Sequence, residues 1–141
     1  MLDSIGGDAR AVSLVPTSDQ ILQVRTTATQ FAPGTGSRWF GVTVRYTDAA
    51  NYYYVTLRSD NTISLRKLVN GTIHILDAAP LTVPVGTTFT LRLEAIGSSL
   101  RAYVNGRLLL EAKDSTHARG SYGAAMYKAS ATCEDFLFYE P

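Results

Sequence analysis

Cysteine is almost absent. The single thiol, Cys133, excludes an internal disulfide and any metal centre built from several cysteines. Only two histidines, His74 and His117, are present, which leaves little material for metal ligation or base catalysis. An excess of one charge is missing as well: 13 Lys and Arg stand against 12 Asp and Glu, a net +1. Such a chain lacks the basic field that general nucleic-acid binding needs. No apolar run approaches the ~18 residues of a membrane-spanning helix. The opening MLDSIGGDAR lacks the basic-then-apolar build of a secretion signal. At 141 residues, with 45% apolar and 18% charged, the chain suits one domain with a real core.

What is present is period-two alternation broken by turn chemistry. Runs rich in β-branched, Leu and aromatic residues predict strands over 10–15, 21–29, 39–46, 52–58, 63–68, 72–76, 88–95, 100–104, 107–112, 122–127 and 132–139. Asn70-Gly71 and Asn105-Gly106 sit between such runs. Both central residues of a type I′ turn need positive φ, which Asn and Gly tolerate best, so each pair predicts a tight antiparallel hairpin. Asn70-Gly71-Thr72 also matches a glycosylation acceptor, but the turn explains it more simply. Residues 59–62 and 97–99 read as further hairpin loops. Asp114 to Ala118 has room for one helical turn, and no longer helix is predicted. Many short strands without a fixed repeat indicate an all-β sandwich or barrel.

Alternation sorts the side chains. Phe40, Val42, Val44 and Tyr46 share one face of their strand, and Trp39, Gly41, Thr43 and Arg45 the other. Tyr53, Val55 and Leu57 oppose Tyr52, Tyr54, Thr56 and Arg58. Ile63 and Leu65 oppose Ser64 and Arg66, and Leu91 and Leu93 oppose Arg92 and Glu94. The apolar sets form a core between two sheets. The opposite sets hold few Lys or Glu and mix Tyr, Trp, Arg and small hydroxyls, the composition of a binding face. Tyr46 and Tyr53 are expected in the core, and Trp39 either as a cap on its edge or as a loop-proximal sugar platform.

Three stretches carry a family resemblance: RWFGVTVRYTDAANYYYVTLRSDNTISLRKLVNGT, TFTLRLEAIGSSLRAYVNGRLLLEAKDS and the closing ATCEDFLFY. They resemble concanavalin A-like, laminin-G-like jelly-roll domains, which are often appended to bacterial secreted polysaccharide lyases and glycoside hydrolases. The resemblance spans roughly residues 9 to 139 and is most specific over 38–72. It implies a jelly-roll β-sandwich of two antiparallel sheets, a non-catalytic carbohydrate-binding role, an extracellular location and an attached catalytic domain. Related domains usually carry an acidic, Trp-bearing segment before their first strand, and their closing strand often reads Phe-Asp-Asn-Phe where this chain has Cys133-Glu134-Asp135-Phe136. In related jelly rolls an acid there helps hold a structural calcium, so Glu134 and Asp135, with Asp3 and Asp8, are the candidate ligands. Surface charge on the last strand is the simpler reading, because adjacent strand residues point to opposite faces. A missing outer strand would leave a sheet edge open to weak dimerisation.

The candidate ligand-binding set is Arg45, Tyr52, Tyr54, Arg58 and Arg66, with Arg92 as an outer member. Arginine beside tyrosine suits an acidic polysaccharide or oligosaccharide: guanidinium forks pair with carboxylates, and rings stack on sugar C–H faces. The plainer alternative pairs these arginines with Glu94, Asp48 or Asp60 and makes the face a solvated surface, or an interface with a neighbouring domain. Catalysis is not supported. Glycosidic cleavage needs two carboxylates within about 5 to 10 Å, and Glu94, Glu111 and Glu134 fall on separate strands without companions. His74 lacks a nucleophile partner, His117 reads as a solvated loop residue, and Cys133 reads as a buried inert thiol.

Overall fold

The computed structural model describes residues 2–12, 16–34 and 36–141, the first of these segments by its backbone alone. Its ten strands are β1 (Leu2–Val12), β2 (Gln20–Phe31), β3 (Trp39–Asp48), β4 (Asn51–Arg58), β5 (Thr62–Val69), β6 (Thr72–Pro80), β7 (Thr88–Ile96), β8 (Ser99–Val104), β9 (Arg107–Lys113) and β10 (Ser121–Tyr139). The all-β expectation holds. Among the described residues no helix forms, and Asp114 to Ala118 runs as an irregular loop rather than a helical turn. Asn70 and Gly71 have φ of 51° and 81°, and Asn105 and Gly106 have 52° and 83°, as type I′ hairpins require.

Every strand pairing is antiparallel, and the order is β6-β5-β4-β3-β10-β2-β7-β8-β9, with β1 added against β10. The two strands expected over 122–127 and 132–139 are one, β10. The small residues Ala129, Ser130 and Ala131 between them carry no β-forming signal yet stay extended. Lys128, at φ 51°, makes the corner. Residues before it pair with β3 and those after it with β2, so one strand passes from the first layer into the second. The first layer is β6-β5-β4-β3 with the start of β10, and the second is the end of β10 with β2-β7-β8-β9. The terminal strands β6 and β9 lie beside one another, and Asp77 accepts the Glu111 backbone N–H at 3.0 Å.

The core lies between the layers. Phe40, Val42, Val44, Tyr53, Val55, Leu57, Ile63 and Leu65 meet Leu22, Val24, Leu91, Leu93, Leu100, Ala102 and Leu110, all nearly or wholly buried. The alternation expected for β4, β5, β7 and β8 is the alternation observed.

In β3 it breaks. Arg45 has φ 49°, and the register with β4 shifts between Val44 and Asp48. This bulge reverses the facing of the residues beyond it. Arg45 therefore does not join the outer face expected for it, and is only 2% exposed. Its guanidinium donates to the carbonyls of Ser18 (2.8 Å), Gly97 (2.7 Å), His117 (3.2 Å) and Ala95 (3.4 Å), with Asp19 at 3.5 Å. Its own N–H donates to buried Gln20, whose amide donates to Gly120 O at 2.6 Å. Gly120 packs so closely that a Cβ there would stand 2.4 Å from the Arg45 carbonyl carbon. Arg45 thus satisfies backbone acceptors that the ends of both layers leave over. Burial lowers its pKa, opposed by Tyr53 and Asp19. Arg45→Met strands those carbonyls away from water, so it is expected to cost about 3 kcal/mol of stability in denaturant unfolding. A loss below about 1 kcal/mol contradicts the hub role.

Candidate functional site

Tyr52, Tyr54, Arg58 and Arg66 come together. They line one groove of about 600 Å³ on the outer face of the first layer, with Trp39, Tyr127, Ser37, Leu68, Ile73, Ala49 and Gly71. Cross-strand register explains the meeting. Trp39 lies opposite Arg58, Thr43 opposite Tyr54, Tyr54 opposite Arg66, and Tyr52 opposite Leu68. The β3–β4 and β5–β6 turns close one end: Gly71 N–H donates to Ala50 O at 3.1 Å and Asn70 N–H to the Asn51 side chain at 3.0 Å.

The aromatic residues form a row. Trp39 contacts Tyr54 at 5.5 Å between ring centroids, Tyr54 contacts Tyr52 at 5.2 Å, and Tyr52 stacks on Tyr46 at 5.1 Å. Each ring limits its neighbour's rotamers, so the row is ordered before any ligand arrives. Two expectations are corrected here. Trp39 is a wall of the groove, not a cap on the core. Tyr46 lies on the groove side, not in the core, because the Arg45 bulge turns it outward. Tyr53 does sit in the core, fully buried. Close approach of β3 to β4 needs Gly41, where a Cβ would stand 1.8 Å from Val55 O.

The two arginines converge. Arg58 reaches back two residues to the Thr56 hydroxyl at 3.4 Å, and Arg66 reaches back two residues to the Ser64 hydroxyl at 2.7 Å. Thr56 and Ser64 are cross-strand partners, buried and hydrogen-bonded to each other. Because β4 and β5 are antiparallel, these two backward reaches bring both guanidinium groups over one hydroxyl pair. Burial lowers the Arg58 pKa and nearby Arg66 lowers it further, while Asp60 and Tyr54 oppose. Burial raises the Tyr54 pKa, with Arg66 opposing. Asp60 is 3.8 Å from Arg58 and is already held by Ser37 and Thr62. Among the described residues Arg66 has no carboxylate within 4 Å. Of the charge partners that would make this a plain solvated face, Glu94 pairs with Arg92 and Asp48 is held by Asn51 and Ala50. Among the described residues, Asp60 alone offsets the two guanidinium charges of the groove.

Arg92 does not reach the groove. It lies on β7 in the second layer, 2.8 Å from Glu94 and over the Tyr139 ring. Its strand parity is as expected, but its layer is not. Glu134 and Asp135 are exposed. Asp135, at φ 55°, pairs with Arg25 at 3.2 Å. Among the described residues no three acids, His or Cys gather as a metal site, and the Asp3 and Asp8 side chains lie outside the described residues. Cys133 is half-buried beside Thr26, and burial raises its pKa. Tyr127, from β10, was missed by sequence reasoning. Its alternation with buried Met126 was readable, but the pairing of β10 with β3 was not.

Beneath the closed end, Tyr53 OH donates to Asp114 at 2.6 Å and Lys67 donates to the same carboxylate at 2.8 Å. His117, in the same loop, hydrogen-bonds Leu68 O at 2.8 Å, which ties the loop to the groove wall. Burial opposes charge on Asp114, but Lys67, Tyr53 and Thr116 outweigh it and hold its pKa well below the carboxylate range. Burial and the bond to Asp114 push Tyr53 up to about 12.

No protein-family model matches the chain, and no curated protein matches it in sequence. Solved structures do match in shape. The carbohydrate-binding module CBM66 from Bacillus subtilis superposes with a TM-score of 0.84 at 23% identity, over 96% of this chain and 83% of that one. The fold is a concanavalin A-like jelly roll. CG-16, a homodimeric agglutinin from chicken liver, matches at TM-score 0.70 and 14% identity, over 93% of this chain and 100% of that one. An alginate lyase of polysaccharide lyase family 7 matches at 0.54 and 17%, over 84% and 61%. At these identities the likeness is one of fold.

The Asp114 network sets a pH dependence. A carboxylate whose folded pKa lies below its unfolded value of about 3.9 stabilises the fold above that pH, and the contribution is lost as pH falls. Asp114→Asn is expected to lower stability at neutral pH by about 2 kcal/mol. It is also expected to flatten the decline below about pH 4. Equal acid slopes in unfolding titrations of the two proteins contradict the assignment. For Tyr53 the contribution is full below about pH 10 and is lost as pH rises towards 12.

Proposed function

We propose that this jelly roll is a non-catalytic carbohydrate-binding module whose groove takes an acidic polysaccharide. The observation that carries this reading is the convergence of Arg58 and Arg66 over the Thr56–Ser64 pair, beside a fixed row of Trp39, Tyr54 and Tyr52. A uronate supplies what that arrangement lacks. Its carboxylate relieves the repulsion between the two guanidinium groups by charge-assisted hydrogen bonds, and its ring lies against half-buried Trp39, which the nearly buried Tyr54 and Tyr52 hold in place. The likeness in fold to a carbohydrate-binding module supports a sugar as the ligand class. On this reading the module works outside the cell and holds an attached enzyme on its substrate, raising local concentration.

A shallow, wet groove gives modest affinity, about 10 μM to 1 mM. Affinity electrophoresis against polygalacturonate, alginate and neutral glucans tests the reading. Retardation is expected on the acidic gels and is expected to weaken with added salt. Arg58→Ala or Arg66→Ala is expected to lower affinity at least about tenfold with the thermal melt little changed. Equal retardation of these folded variants, or preference for neutral glucan, contradicts an acidic ligand. Turnover of any glycan by the chain overturns the non-catalytic assignment.

A further inference from the structure

The groove continues past the arginines onto an aliphatic shelf. On the outer face of β5 and β6, Leu68 lies opposite Ile73 and Arg66 opposite Ile75. Leu68 and Ile73 line the same groove as the two arginines. Ile73 is 54% exposed and Ile75 59%, two large apolar side chains side by side on an edge strand. Leu68 also lies opposite Tyr52, so Tyr52, Leu68 and Ile73 stand in one cross-strand row, with the Tyr52 side chain almost wholly buried. Two residues along a strand span about 7 Å. The rows of Ile75 and Ile73 therefore stand about 7 and 14 Å along the strands from the Thr56–Ser64 pair, within the span of the sugar units that follow along a chain. The Leu68, Ile73 and Ile75 side chains carry no donor or acceptor, which suits an apolar substituent and leaves a hydroxyl set against them without a partner.

We propose that the groove selects an acidic sugar chain carrying a small apolar substituent, an O-acetyl group in the simplest case, on a residue next to the carboxylate held by Arg58 and Arg66. The inference rests on the acidic-sugar reading above. It assigns the shelf to the acetyl methyl, and charge recognition stays with the guanidinium pair.

The probes are O-acetylated oligomannuronate and oligogalacturonate, each compared with the same preparation after alkaline deacetylation, by titration calorimetry. Removing an ester leaves the carboxylates and the backbone unchanged. The acetylated form is expected to bind about three- to tenfold tighter, as burial of a methyl-sized apolar group predicts. Ile75→Ser, outside the residues that line the groove, is expected to abolish that ratio and leave affinity for the deacetylated form within about twofold, and the double variant with Ile73→Ser is expected to abolish the ratio as well. Both positions are exposed, so a thermal melt is expected to show the fold intact. Binding of deacetylated oligomers that depends on Arg58, with no gain on acetylation, overturns the shelf and leaves the acidic-sugar reading standing. Failure of both forms to bind overturns both. Light scattering that finds a dimer dispersed by the double variant assigns the shelf to a second copy of the chain and overturns the inference.

Discussion

Strand parity governs this molecule, and it is reset in β3 by a residue in the left-handed region. At Arg45 the backbone takes φ 49°, and the side chain that simple alternation sends to the surface turns into the end of the sandwich. Two consequences follow from one bulge. The guanidinium gathers carbonyls from β7, from the 97 turn and from the loops carrying Ser18 and His117, which tie the layers together. Tyr46, next in sequence, turns outward and extends the aromatic row by stacking on Tyr52. A bulge that closes the sandwich therefore also lengthens the groove wall.

The groove owes its charge to antiparallel geometry. Two arginines on neighbouring strands, each folded back by two residues, approach from opposite directions over one hydroxyl pair. Parallel strands would send the same reaches the same way. The hydroxyls hold the stems without neutralising them, and the nearby carboxylate among the described residues, Asp60, is shared with Ser37 and Thr62. Positive charge held in place beside ordered rings needs little rearrangement on binding, and that keeps the ordering cost low.

Much of this was legible in the sequence. Period two placed Tyr52, Tyr54, Arg58 and Arg66 on one face, and the Asn-Gly pairs located two hairpins, because both signals are local. What was not legible depends on contacts between distant segments. The facing of Arg45 and Tyr46 turns on a bulge held by Gln20 and Gly120, which no run of side chains announces. Arg92 has the expected parity on β7, but alternation says which way a side chain points and not which layer its strand joins. Tyr127 meets the groove only through the pairing of β10 with β3. The linear pattern assigns no facing to Ile73 and Ile75, and the pairing of terminal β6 with β5 puts them exposed beside the groove.

The central claim is that the outer face of β3, β4 and β5 is the ligand surface. The most direct test is a backbone amide NMR titration of the whole chain with oligogalacturonate. The account predicts shifts confined to residues around Trp39, 52–58, 64–68 and the turns at 49–51 and 70–71. Shifts centred on Arg92, Tyr103 and the outer face of the second layer, with the β3–β5 amides unmoved, would contradict it.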